Sequence, residues 1–326
     1  MIDVLPPELW IQILRFACTD NGSTGRAVSL VCRSLHDIGK SVMLNSISVV
    51  APKQVIRFAA VLASLPPSQR VVRHLFVASA PDQTKKRVQS DVKDALKTLI
   101  LQHARSPDLP VTGSHAKSLI TFAESDVDDD NILVAFRCIL TFAAPYLRTL
   151  HVYFTTLNRP YILLPIPLPH LTELVIYGAF YPKANFSPPN PIVFPSLTRL
   201  HLAHYPIHPH DLIPIVLPGT PMLTQLHITQ IMDTSQCVRA VRALIETIDG
   251  FTASAPKFKK LSLRIDVTKN IPCTDYPENG KKWVEDLRSC IGLDHRITLI
   301  EGGHPWVDSV SARQTWLSRI TTVEEG

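Results

Sequence analysis

Four histidines, His201, His204, His208 and His210, fall within one short stretch and could offer imidazole nitrogens to a zinc ion. Pro206 and Pro209 interrupt that stretch, and no cysteine or carboxylate is spaced to orient the rings. A second run, Asp126-Val127-Asp128-Asp129-Asp130, opens like a calcium loop. Asn131 stands where such a loop needs glycine, and Arg137 stands where it needs a bidentate Glu, so the run reads as the solvated start of a helix. Ser, His and Asp are scattered without a GxSxG, HExxH, Walker or GxGxxG pattern, and 12 glycines are few for phosphate cradles. The chain therefore reads as a non-enzyme with no catalytic residues, no metal and no cofactor. A histidine-metal enzyme is the outlying alternative.

What must position any binding chemistry is a large folded body. At 326 residues, 45% hydrophobic and 19% charged, the chain can bury a sizeable core and has the composition of neither a disordered nor a membrane protein. No apolar run reaches the length that spans a bilayer, and no basic region followed by an apolar one opens the sequence. Six cysteines at 18, 32, 138, 237, 273 and 290 form no CxxC pair, which points to reduced thiols in the cytoplasm and/or nucleus. The formal charge of +5 is thinly spread, with Lys85-Lys86-Arg87 and Lys257, Lys259 and Lys260 the only small clusters, so neither nucleic acid nor membrane is the expected partner.

One phrase of eight residues recurs five times: a proline, then Leu or Phe at the third place, Leu at the sixth and an aliphatic at the eighth. The copies begin at Pro145, Pro169, Pro195, Pro221 and Pro256, and their central leucines are Leu150, Leu174, Leu200, Leu226 and Leu261, spaced by 24, 26, 26 and 35. A period in this range is that of a solenoid. The second half of each phrase alternates apolar and variable residues, which predicts one short strand per copy. Intervals this long leave room for the crossovers that parallel neighbours require. The pattern resembles the leucine-rich repeat, from which it departs where no Asn follows the last aliphatic: Tyr205, Ile231 and Asp266 stand there in the last three copies.

The N-terminal stretch has its own signature. Pro6-Pro7-Glu8 starts a helix with the imide nitrogens where no donor is needed and an acidic side chain in the first turn, and Leu9, Ile13 and Phe16 line one face. After a Gly/Ser loop at 20–25, a second helix is predicted from Arg26 to Ile38, with Val28, Val31 or Cys32, Leu35 and Ile38 at helical spacing. A segment of about 36 residues is too small for an independent core and must dock on something. Leu5-Pro6-x-Glu8, Ile13-Leu14 and Ser29-Leu30-Val31-Cys32-Arg33 together resemble an F-box. Departures from the family are Leu35, where an aromatic is common, and the polar, glycine-rich loop.

Between these stretches the periodicity predicts strands at 46–50 and 72–77, helices at 53–65, 90–104 and 130–143, and a poor strand copy at 117–122. Fourteen of the 27 prolines lie between Pro160 and Pro221, so the crossovers there are expected to be extended. Helices at 235–252 and 278–291, a strand at 296–300 and a capping helix at 306–320 complete the reading.

The expected fold is α/β: a helical F-box over 1–44, then a leucine-rich-repeat-like solenoid over 45–326 with a parallel sheet on its concave face. The resemblance implies a substrate-recognition subunit of an SCF-type ubiquitin ligase, held by a Skp-type adaptor and through it a cullin, with an unidentified protein target on the repeats. A repeat scaffold using its F-box outside ubiquitination is the alternative. The family pattern assigns adaptor binding to Leu5, Pro6, Leu9, Ile13, Leu14, Leu30, Val31 and Cys32. Outward positions of the strands place target binding at Tyr153, Tyr177, Arg199, His201 and His227.

Overall fold

The computed structural model describes residues 5–79, 129–154, 161–162, 166–178, 180–181, 194–203, 219–229, 246, 262–267, 285, 288–289, 297–301 and 309–323. The helix and strand predicted at 90–104 and 117–122 lie outside these residues, as do most of the helices predicted at 235–252 and 278–291. Two compact units divide the chain. The first takes in residues 1–149, 156–158 and 309–326, and the second residues 150–155 and 159–308.

The first unit begins with three helices, α1 (Pro7–Ala17), α2 (Ser23–Ser29) and α3 (Arg33–Gly39). The sequence predicts one helix over 26–38, but the chain breaks it in two. Cys32 is extended, and its Sγ accepts from the Leu35 amide at 3.5 Å, capping α3. The expected loop at 20–25 is shorter than predicted, because α2 already starts at Ser23. Asp20 holds that start: its carboxylate accepts from the amides of Gly22 and Thr24 at 2.9 Å each and from both the Ser23 and Thr24 hydroxyls. The two glycines have separate reasons. Gly22 sits at φ 95, and a Cβ on Gly25 would stand 2.5 Å from the Met43 carbonyl oxygen.

Strand β1 (Ser46–Val50), helix α4 (Pro52–Ser64) and strand β2 (His74–Ala78) form a parallel βαβ unit, registered from Ser46 opposite His74 to Val50 opposite Ala78. Pro52 opens α4 at its first position, and Val55, Ile56, Ala59 and Leu62 bury its inner stripe. The next described helix, α5 (Asp129–Ala143), packs against α4. Arg70 ties them together, donating to the carbonyls of Leu65 and Ala63 while its guanidinium lies 4.5 Å over the Phe142 ring.

In the second unit β3 (Thr149–Tyr153), β5 (Glu173–Tyr177), β7 (Arg199–Ala203), β8 (Gln225–Thr229), β9 (Ser262–Val267) and β10 (Ile297–Glu301) form a parallel sheet in that order. Two further strands, β4 (Tyr161–Ile162) and β6 (Phe180–Tyr181), pair with each other within the proline-rich stretch. The repeated leucines are core: Leu147, Leu150, Leu171, Leu174, Leu197, Leu200, Leu223 and Leu226 are all buried. Leu174 lies opposite Leu200, Leu200 opposite Leu226, and Leu226 opposite Leu263. The fifth copy therefore centres on Leu263, two residues later than the phrase predicts. Leu261, Leu263, Ile265 and Val267 alternate in phase, and a slip of two keeps the same face inward, so the alternation alone could not set the register.

Threonines tie the starts of successive strands. The Thr172 carbonyl accepts from the amides of Thr198 and Arg199 and from Thr198 Oγ1. One turn on, the Thr198 carbonyl accepts from the amides of Thr224 and Gln225 and from Thr224 Oγ1. The first unit repeats the backbone half of this pattern: the Asn45 carbonyl accepts from the amides of Arg73 and His74, and the Arg73 carbonyl from those of Arg148 and Thr149.

The C-terminal helix, α6 (Ser309–Val323), belongs to the first unit. Ala312, Trp316 and Ile320, at i, i+4 and i+8, are its buried stripe, and the Trp316 ring stands 5.7 Å from that of Phe76 on β2. No helix among the described residues is long and apolar enough to cross a membrane.

Candidate protein-binding surfaces

Two surfaces collect the residues that the sequence singles out. On the N-terminal helices, Leu5, Leu9, Ile13, Leu30 and Val31 are 39–77% exposed, and Pro6 is exposed beside them. The helix directions explain this. Leu9 and Ile13 are four residues apart on one face of α1, while Leu30 and Val31 occupy the break between α2 and α3, where no helix neighbour covers them. Leu14 differs from the other members of the predicted set, since it is buried on the inner face of α1. Cys32 is half-buried and occupied in capping α3. The predicted set leaves out Phe16, which is 64% exposed and lies one turn beyond Ile13. Its spacing from Leu9 and Ile13 was the available signal.

The other surface is the face of the second unit's sheet opposite the leucines. A ladder of rings crosses it. Tyr153 and Tyr177 have centroids 5.5 Å apart, Tyr177 meets His201 edge-on at 5.8 Å, and His201 stacks on His227 at 4.1 Å with planes 17° apart. Beside the rings runs a line of charge. Glu173 Oε1 lies 3.4 Å from His151 Nε2, and Glu173 Oε2 lies 2.9 Å from Arg199 Nη2, since Glu173 and Arg199 start neighbouring strands in register.

All five predicted target-binding residues thus share one face, but the sheet does not present them equally. Tyr153 and Tyr177 are buried, as are His151, Glu173 and Val175, so the expectation of an open face fails for β3 and β5. A parallel sheet is ordinarily covered on both faces, and every residue of these two strands is buried accordingly. The face opens at β7 and β8, where Arg199, His201 and His227 are half-buried and Gln225 is exposed.

Little among the described residues resembles reaction chemistry. Burial, then the Asp20 charge, pushes the Cys18 thiol up to about 11, and burial pushes Cys138 up to about 11 despite the opposing charge of Arg137. Thiols held there stay protonated near neutrality and are not activated nucleophiles. No group of three or more metal-ligating side chains occurs among the described residues, and of the four clustered histidines only His201 is described. Comparison with protein-family models finds no match to this chain, and comparison with curated proteins finds none either.

Proposed function

We propose that this chain is the target-recognition subunit of an SCF-type ubiquitin ligase, with the N-terminal helices as an F-box held by a Skp-type adaptor and the leucine repeats as a degenerate solenoid that holds the target. One observation carries the reading: Leu5, Leu9, Ile13, Phe16, Leu30 and Val31 face outward from helices that are too short to need them for their own core. Solitary exposed apolar residues need no explanation, but a cluster of this kind marks a docking site. The parallel sheet, its stacked leucines and its threonine-tied strand starts support the repeat half of the proposal. No residue of the chain is assigned a chemical step; the protein positions a target.

The test is affinity capture of the tagged full chain from cells, scored for adaptor and cullin. Wild type should recover both, and the double variant Leu5→Ala/Pro6→Ala should lose both while keeping its thermal transition. Adaptor without cullin would favour the scaffold reading. Undiminished adaptor on the double variant would overturn the F-box assignment.

A further inference from the structure

We propose that the open part of the sheet face, on β7 and β8, takes an acidic peptide segment of the target, whose Asp and Glu side chains meet Arg199, His201 and His227. The proposal rests on the target-receptor reading and supplies the chemistry of the partner. Among the described side chains of these strands, Arg199, His201, Gln225 and His227 reach solvent, all polar and none acidic. A basic partner would look to Glu173, but that carboxylate is 1% exposed and already engaged with His151 and Arg199.

The donors are also held in place. Glu173 Oε2 fixes one end of the Arg199 guanidinium at 2.9 Å, yet the Arg199 side chain remains 40% exposed, so it is oriented without being covered. Tyr177 meets the edge of His201 on one side and His227 stacks on its other side, restricting both imidazoles. The partly exposed Arg199 guanidinium matches carboxylate oxygens, and charge-assisted hydrogen bonds of this kind are the stronger ones. Single-stranded nucleic acid would call for a basic groove that follows a phosphate backbone. One described guanidinium on two strands fits a short peptide better.

The probe is a fluorescent peptide of about a dozen residues alternating Glu and Ala, with a Gln-for-Glu control and a single-stranded oligonucleotide, read by anisotropy on the full chain. The Glu peptide should bind at least tenfold more tightly than the Gln control, and the margin should shrink as salt rises. Arg199→Ala strips a partner from buried Glu173 and could unfold the sheet, so the deciding variant is Gln225→Glu, at the exposed position beside them. It should weaken the Glu peptide at least tenfold while adaptor capture and the thermal transition stay at wild-type values. Equal binding of the Gln control, indifference of the Gln225→Glu variant, or tighter binding of the oligonucleotide would each overturn the proposal. Adaptor capture reports on the ligase reading separately, so failure of one is distinguishable from failure of the other.

Discussion

Thr198 joins two turns of the sheet. Its amide and hydroxyl both donate to the Thr172 carbonyl, and its own carbonyl accepts from the Thr224 amide, the Gln225 amide and the Thr224 hydroxyl. Thr198→Val keeps the shape and the β-branch but removes one donor from a carbonyl that retains two others. The expected cost is about 0.5–1.5 kcal/mol, read from urea unfolding. Leu200→Ala, two residues further on, removes a side chain that is 2% exposed and should cost about 2–5 kcal/mol. A Val variant as damaging as the Ala variant would mean that the hydroxyl does more than close a ladder. The leucine was legible in the sequence because burial imposes a period. The threonine was not, although Thr172, Thr198 and Thr224 hold the fourth place of three successive copies. A place that neither enters the core nor matches the family's Asn reads as variable until the carbonyl it serves is visible.

At the scale of elements, boundaries depended on caps that periodicity does not report. The pattern Val28, Leu35 and Ile38 is continuous enough to suggest one helix, but Cys32 turns extended and starts another. Helix α2 begins at Ser23 because Asp20 supplies acceptors for its first turn. Burial works to raise the Asp20 carboxyl, and the hydrogen bonds from Ser23, Thr24 and Gly22 together outweigh it, so the group sits below its ordinary value of 3.8. A carboxyl lowered on folding stabilises the fold above its unfolded pKa and loses that contribution as pH falls through the lowered value. Asp20→Ala should therefore cost about 1 kcal/mol at neutral pH, as a lost cap. The gap from wild type should narrow as urea titrations are taken below about pH 4, where wild type also loses the charge. A gap that stays constant with pH would assign the loss to packing. Such a cap matters to the binding surface too, since α2 carries the chain to Leu30 and Val31.

At the scale of the molecule, the compact unit that displays the N-terminal helices is built from both ends of the sequence. Phe76 and Trp316 are both fully buried and stand 5.7 Å apart, although 240 positions separate them (316 minus 76). Neither repeat spacing nor helical periodicity carries information about a contact of that span. Helix α6 was legible from its own pattern, and its contact with Phe76 was not. Along β2 the side chains alternate, so Phe76 turns to the face opposite Leu75 and Val77, and Trp316 covers it there. Without α6 that face of β2 would expose an aromatic ring in the middle of a sheet. Trp316→Ala should cost about 3–5 kcal/mol, the loss expected for a buried large aromatic. The loss should appear in the first unit, and proteolysis can locate it: cleavage should rise within residues 5–79 before it rises within the strands from Glu173 to Thr229. Adaptor capture should fall with it, although residue 316 lies far along the chain from Leu5 and Pro6. If Trp316→Ala leaves both the early cleavage sites and adaptor capture unchanged, α6 is a dispensable cover and the N-terminal helices stand on β1, β2 and α4 alone.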